Sequence, residues 1–276
     1  MRHDNGSAVT IGAYDGVHIG HRRVIEQVRR RAAGAGLRSV VVTFDKNPAA
    51  VINPASAPPR LTDLDQKLEL LAGTAVDQIL VLRFDAQRAN ERAEDFVTEV
   101  LVTELRARVV VVGDDFHFGH ERRGNVALLR EMGEGAGFSV EPVHLVEDVV
   151  AHEVVSSTRI RALIAKGELT EAAALLGRPH EVRGLVVVGE GAEASEQPPL
   201  VIEIPSEILL PPAGEYAGFV AAGAGAGGEE PVAARLVVPV RLGDGLQRLE
   251  ISDVGASPAP LAAAGAEGKV IRARFG

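Results

Sequence analysis

Between residues 8 and 180 the chain alternates between two hydrophobic periods. Short β-branched runs at AVTIG (8–12), SVVVTF (39–44), QILVLRF (78–84) and VVVVG (109–113), with a weaker FSVEPV (138–143), predict strands. Stretches of helical spacing between them predict helices over roughly 18–33, 64–72, 91–106 and 123–133. In the first, Val24, Val28 and Ala32 fall four apart on one face, while Arg22, Arg23, Arg30 and Arg31 fall mostly elsewhere. SVVVTF and VVVVG are apolar almost throughout, as expected of parallel strands covered on both faces. Strand–helix alternation repeated this often predicts a doubly wound, Rossmann-like α/β sheet. Two short helices follow, over about 158–166 and 171–176, the second with Thr170 as its expected N-cap.

After LLGRPHEVRG the pattern changes. Residues 184–276 carry short strand candidates (LVVVG, LVIEI, ARLVVPV, LQRLEI and KVIRARF) separated by Gly, Pro and Ala, which suits a small β-barrel or sandwich. AGAGAGG (222–228) reads as a flexible loop. Two domains are therefore expected, an α/β domain over 1–183 and a smaller β domain over 184–276.

Composition narrows the partners. A chain of 276 residues at 46% hydrophobic content is long enough for a sizeable core. Its net charge of −9 repels phosphodiester backbones on average, so nucleic acid is not expected as a partner. Aromatic residues make up only 4%, without tryptophan, which leaves little for a base-stacking platform. The absence of cysteine excludes disulfides and thiolate metal sites. MRHDNGSAV lacks the apolar core of a signal peptide and no run of membrane-spanning length occurs, so a soluble cytoplasmic protein is the default expectation. The oligomeric state is left open.

Three stretches carry candidate chemistry. IGAYDGVHIGH (11–21) reads as a strand, a glycine-permitted turn and a helix start, with His18 and His21 facing the same way on the first turn. Unpaired backbone N–H groups and the positive end of the helix dipole converge there, and imidazole donors added to them suit phosphate oxygens. A surface accident and a zinc site are the alternatives, the latter without a placed third ligand. VSSTRIR (155–161) sets Ser156, Ser157 and Thr158 before a helix carrying Arg159 and Arg161, a second anion site or an ordinary capped helix. VVVVGDDFHFG (109–119) ends a buried strand in two acids, two aromatics and a glycine, where ligands gather in open α/β sheets.

H-x-G-H after the first strand and S-S-T-x-x-R before a late helix resemble the HIGH-type nucleotidylyltransferase superfamily. With G-x-Y-D-G-V-H-I-G-H, L-T-D-L-D-Q-K, V-G-D-D-F-H-F-G, R-G-N and S-S-T-R-I-R in order, residues 8–184 are similar to the prokaryotic-type FAD synthetase family, the bifunctional riboflavin kinase/FMN adenylyltransferases. The resemblance implies transfer of AMP from ATP to FMN with release of pyrophosphate and with Mg²⁺ accompanying ATP, no metal being ligated directly by the protein. It implies that His18, His21 and Arg161 are catalytic. Gly12, Tyr14, Asp15, Gly16, Gly20, Ser156, Ser157 and Thr158 would bind the nucleotide, and Asn47, Pro48, Asp115, Phe116 and Phe118 the acceptor.

Two departures stand out. The family follows its second strand with F-x-P-H-P, whereas this chain has Phe44-Asp45-Lys46-Asn47-Pro48, and asparagine cannot titrate near neutrality. The kinase barrel of the family carries G-F-P-T-A-N, whereas the corresponding region here, GEGAEASEQPPLVIEIPSE (189–207), has no Thr-Ala-Asn. GEYAGFV (214–220) still resembles the barrel's G-x-Y stretch, and Glu250 falls where its base would. Riboflavin kinase activity is accordingly expected to be absent. The leading expectation is an FMN adenylyltransferase. The alternatives are a nucleotidylyltransferase with another phosphorylated acceptor or nucleotide, and a catalytically silent flavin- or nucleotide-binding regulator.

Overall fold

The structure, a computed structural model, describes residues 5–143, 154–187, 200–223, 230–239, 246–252 and 268–276. The chain forms two compact units, one from Met1–Pro58 with Leu70–Val155 and the other from Pro59–Glu69 with Ser156–Gly276.

The first unit is built on five parallel strands, β1 (Ser7–Ile11), β2 (Arg38–Phe44), β3 (Gln78–Leu82), β4 (Ala107–Gly113) and β7 (Ser139–Val143), in the order β3-β2-β1-β4-β7. Period-two burial explains why both faces are covered. Val9, Ile11, Val40, Val42, Val110 and Val112 point to one side, where Val97, Val100, Leu101 and Leu129 pack on them. Ala8 and Val111 point to the other, against Val28 and Ala32 of α1 (Ile19–Ala35). The α1 stripe predicted from its spacing is thus the buried one, and Gly36 ends the helix in the left-handed region at φ 65°. The order reverses at β1, whose neighbours are β2 and β4, so a crevice opens beyond the carboxyl ends of these strands.

Shorter elements connect the strands. Those between the sheet strands are α2 (Pro48–Ile52), α3 (Leu64–Ala72, most of it grouping with the second unit), α4 (Ala86–Ala89), α5 (Ala93–Phe96), the hairpin strands β5 (His117–Phe118) and β6 (Gly124–Asn125), and α6 (Val126–Ala136). The single helix expected over 91–106 is one α-turn, α5, running on into a π-helical stretch over Val97–Glu104. The wider π spiral keeps Val97, Val100 and Leu101 on the sheet.

The second unit contains a closed antiparallel barrel of six strands, β8 (Glu181–Val187), β9 (Leu200–Pro205), β10 (Gly214–Ala222), β11 (Val232–Val238), β12 (Leu246–Ser252) and β13 (Val270–Phe275). The ring runs β10-β11-β12-β9-β8-β13, so no strand edge is left open. Val182, Ile202, Ile204, Val220, Leu236, Ile251, Ile271 and Phe275 are buried at alternate positions. A Cβ at Gly218 would lie 2.3 Å from the Arg274 carbonyl oxygen and one at Gly184 2.6 Å from that of Glu203, so the small ring needs glycine at both. The expected boundary at 183/184 falls inside β8. Helices α7 (Ser157–Lys166) and α8 (Leu169–Leu176) group with the barrel, as does the segment Pro59–Glu69.

Two smaller expectations are corrected or fall outside view. Thr170 does not cap α8: the helix starts two residues earlier, with Glu168 at the N-cap and no side-chain capping bond, because Leu169 is drawn into the core. Within AGAGAGG, residues 224–228 lie outside the described residues, as do 189–199 of the stretch set against G-F-P-T-A-N. Among the described residues no helix is long and apolar enough to cross a membrane.

Candidate functional site

The loop from β1 to α1 is unusually constrained. Tyr14, Gly16 and Val17 all have positive φ, at 52°, 81° and 40°. For a β-branched residue that geometry is strained, and it persists because Val17 is wholly buried among Ile25, Val41 and Leu71. Tyr14 is fixed from both ends. Its hydroxyl lies 2.8 Å from Thr10 Oγ1 and its ring stands edge-on to His21 at 5.0 Å. Burial pushes the Tyr14 phenol up, so it stays protonated. Asp15 is buried in the same turn.

His18 is the N-cap of α1, and its Nδ1 accepts the His21 backbone N–H at 3.3 Å. A neutral His18 therefore carries its proton on Nε2. The two imidazoles stack at 3.5 Å between centroids, 18° from parallel. His21 Nδ1 is enclosed with no hydrogen-bond partner among the described residues. Burial first, and then the neighbouring His18, hold His21 well below the ordinary histidine range. The site is thus a pair of imidazoles at a helix N-terminus, with His21 neutral near pH 7. Gly20 lies close to the imidazoles: a Cβ would sit 3.2 Å from the His18 ring, tight enough to press on it, and 3.5 Å from the Val155 carbonyl oxygen. Gly12 faces the Tyr14 ring in the same way, at 3.1 Å.

Beyond the carboxyl ends of β1 to β4 lies a cavity of about 540 Å³. Ile11, Gly12 and Ala13 line it, so it opens from the same segment that leads into the histidine loop. Its outstanding feature is aromatic: Phe44, Phe84, Phe96, Phe116 and Phe118 all line it, five of the eight phenylalanines in the chain. They pack on one another, Phe44 edge-on to Phe84 at 5.1 Å, Phe116 stacked on Phe118 at 5.4 Å and Phe118 tilted on Phe96 at 5.7 Å. Polar groups are few. Arg88 is held by both carboxylate oxygens of Glu91 at 2.7 and 2.8 Å, and Asn47 Oδ1 accepts the Ala49 N–H at 3.1 Å as the N-cap of α2. His117 and Arg122 complete the wall on the hairpin side. That hairpin passes close over α5, since a Cβ at Gly119 would lie 2.7 Å from Ala93 Cα.

Of the expected acceptor residues, Asn47, Pro48, Phe116 and Phe118 line this cavity. Asp115 does not; it is exposed, and its carbonyl oxygen lies 2.7 Å from His117 Nδ1. Phe44, Phe84 and Phe96 were not expected there. Each follows or ends an apolar element, and the one available signal was the concentration of a scarce residue type at successive strand ends.

Ser156, Ser157, Thr158 and Arg161 belong to the second unit. Ser156 caps α7, its Oγ accepting the Arg159 N–H at 3.2 Å, which leaves its O–H available as a donor. Arg161 donates from Nε to the Pro59 carbonyl at 2.7 Å. Among the described residues no three His, Asp or Glu side chains gather as a metal site.

A family model described as FAD synthetase matches residues 1–159. The chain belongs to the FAD synthetase family. Two relatives named bifunctional riboflavin kinase/FMN adenylyltransferase are similar to this FAD synthetase family member. The one from Pseudomonas fluorescens is 38% identical over 185 residues, covering 67% of this chain and 58% of that protein. The one from Escherichia coli strain K12 is 36% identical over 185 residues, with the same coverage. The similarity thus spans under two thirds of the relatives' length. A crystal structure described as a macrolide-efflux protein from Streptococcus pneumoniae matches 99% of this chain and 85% of its own at a TM-score of 0.77 and 24% identity, which speaks for the fold alone.

Proposed function

We propose that this FAD synthetase family member is an FMN adenylyltransferase, transferring AMP from ATP to FMN. The observation that carries the reading is the gathering of five phenylalanines around one cavity that opens from the segment leading into the histidine loop. A flat, three-ring heterocycle suits a pocket of that volume and lining, with aromatic faces and edges to pack on and few polar groups to satisfy. Family membership supports the reaction class.

In the proposed reaction a phosphate oxygen of FMN attacks the α-phosphorus of ATP in line. The bond from that phosphorus to the bridging oxygen breaks and pyrophosphate leaves. His18 donates from Nε2 and His21 from its own protonated nitrogen to phosphate oxygens, joined by the open N–H groups of the first turn of α1. A neutral His21 suits this role, because charge building on the phosphates strengthens its hydrogen bond without a proton having to move. The Ser156, Ser157 and Thr158 hydroxyls and Arg161 hold the departing phosphates. Mg²⁺ enters with ATP as part of the substrate. The test is pyrophosphate release from ATP and Mg²⁺ with FMN, and absence of turnover sinks the reading.

One observation favours a second reading. Asn47, where the family has histidine, spends its oxygen capping α2. A nucleotidylyltransferase of the same mechanism with another phosphorylated acceptor would then release pyrophosphate faster from a different member of a panel of acceptors and nucleotides. Tight flavin binding without turnover on any acceptor would instead favour a silent binding regulator. We further propose that riboflavin kinase activity is absent. Glu250 sits on β12 between Val237 and Val201, but the sequence offers no Thr-Ala-Asn to hold Mg-ATP beside it. FMN formed from riboflavin and ATP above background would refute this.

A further inference from the structure

We propose that the barrel is a working part of the transferase: Arg183, on its first strand, is a positioning residue that sets Arg161 through the segment Pro59–Glu69. The inference rests on the phosphate-holding role proposed above for Arg161.

The linkage is continuous within the second unit. Arg161 Nε donates to the Pro59 carbonyl at 2.7 Å, so the guanidinium takes its orientation from the start of that segment. The next residue is clamped to the chain after β9. The Arg60 N–H bonds to Glu207 O at 2.6 Å, the Leu209 N–H to Arg60 O at 2.8 Å, and the Arg60 side chain pairs with Glu207 at 2.9 Å. The far end is held by charge. Glu69 takes a two-pronged bond from Arg183 at 2.9 and 2.6 Å. Arg183 is shared with Glu181 at 3.3 Å, which in turn holds Arg274 at 2.6 Å. Gln66 donates to the Glu181 carbonyl at 3.1 Å. The Arg183 and Glu181 side chains are 7% and 8% exposed.

Ion pairs buried this deeply contribute little net stability, since desolvation offsets most of their attraction; their best-attested use is to fix register. An apolar contact would hold Pro59–Glu69 on the barrel equally well but would let it slide. A fork of two parallel bonds from Arg183 to Glu69 does not. What the fork fixes is the segment whose first carbonyl aims Arg161. This gives the barrel a role that needs no kinase site of its own.

The test uses the full chain with Glu69→Gln, Arg183→Met and Arg60→Ala, each made alone and in an Arg161→Ala background. Mg-ATP affinity is read by calorimetry, and KM for Mg-ATP and for FMN by pyrophosphate release. Glu69→Gln and Arg183→Met are expected to weaken Mg-ATP about tenfold and Arg60→Ala about threefold, with KM for FMN unchanged. In the Arg161→Ala background the same changes are expected to have no further effect. A folded Glu69→Gln or Arg183→Met chain with unaltered Mg-ATP affinity overturns the inference. So do equal rises in both KM values, or effects that simply add to Arg161→Ala. Should Arg183→Met fail to fold, Glu69→Gln, on the more exposed partner, decides. Wild-type chain that binds Mg-ATP yet releases no pyrophosphate overturns the transferase reading alone. Wild-type chain that binds no Mg-ATP overturns both.

Discussion

The two units differ in where backbone strain lies and in what their buried charged groups do. In the histidine loop of the sheet unit His21 Nδ1 is enclosed without a partner among the described residues, as are Gln247 Oε1 and Arg272 Nε in the barrel unit. In the barrel unit the buried charges of Glu181 and Arg183 close on Glu69 and Arg274. Strain divides the two. All six non-glycine residues of positive φ among the described residues lie in the sheet unit, and four of them, Tyr14, Val17, Glu121 and Arg122, belong to the histidine loop or the cavity hairpin. Strain stored at the histidine loop and the cavity hairpin marks groups kept for a ligand, whereas the closed Glu181–Arg183 network marks groups kept for geometry. The barrel would then act on the reaction only by holding something else in place.

Breaking the open side first should give the largest effect. His18→Ala or His21→Ala is expected to lower kcat for pyrophosphate release by about 10²–10³-fold, the usual loss of a donor aimed at developing phosphate charge. Melting temperature should change little in His21→Ala, whose enclosed Nδ1 makes no hydrogen bond among the described residues, and fall by more in His18→Ala, which also removes the N-cap of α1. Steady-state kinetics beside a thermal melt would expose the opposite pattern, intact turnover with a collapsed fold, which would make the imidazole pair structural.

Next comes the cavity. Phe116→Ala removes one wall of the aromatic lining while leaving the histidine loop untouched. An acceptor ring stacked there loses about 1–1.5 kcal/mol, so KM for FMN should rise about tenfold with KM for ATP unchanged. Compared with the Glu69→Gln variant, which is expected to move ATP and not FMN, this separates the two units by substrate. A Phe116→Ala chain that raises both constants equally would erase the distinction.

How much of this was legible in the sequence follows the same divide. The inner sheet strands β1, β2 and β4 are largely buried and apolar, so their runs stand out whatever surrounds them, while the edge strand β7, SVEPV, gives the weaker signal. One barrel strand does not stand out. β10 reads GEYAGFVAA, poor in β-branched residues, because Gly218 must admit the Arg274 carbonyl and small residues let the ring close. The histidine and hydroxyl motifs are local in sequence and were legible. The cavity was half legible: Phe116 and Phe118 stand together, whereas Phe44, Phe84 and Phe96 come from separate elements and look like core. The grouping of Pro59–Glu69 with the barrel was not legible at all, since it depends on pairings more than a hundred residues apart, Glu69 with Arg183 and Arg60 with Glu207.

Acid should dissect the two units in sequence. His21 is held neutral in the folded state, so only the unfolded chain takes up its proton as pH falls through about 6.5. Stability from this site is complete above that range and declines below it. Glu69 is held below the ordinary glutamate range, chiefly by its hydrogen bond to Arg183, so its contribution persists to lower pH and is lost as pH falls through the folded value. Urea midpoints measured across pH should therefore lose their first decline in His21→Gln and their later one in Glu69→Gln. Declines that survive both substitutions unchanged would assign the acid response to other groups.

The smallest effect tests the strain itself. Glu121 sits in the left-handed region at φ 53° and ψ 23° with an exposed side chain, and a non-glycine residue there costs about 1–2 kcal/mol. Glycine removes that cost but adds back about 0.4–1 kcal/mol through the freer unfolded chain. The lost ion pair to Arg123 lies in water and contributes only a few tenths. Glu121→Gly should thus stabilise by about 0.5 kcal/mol, raising the melting temperature by about 1–2 °C. Val17→Gly relieves the same kind of strain, yet it removes a wholly buried side chain from contact with Ile25 and Val41, and the loss of about 1.5–3 kcal/mol outweighs the relief. Opposite signs at the two positions would show that the histidine loop is held strained by its own packing, while the hairpin is strained by the path it takes over the cavity. If Glu121→Gly destabilises instead, the hairpin strain is compensated locally, and its place beside the cavity no longer marks it as kept for a ligand.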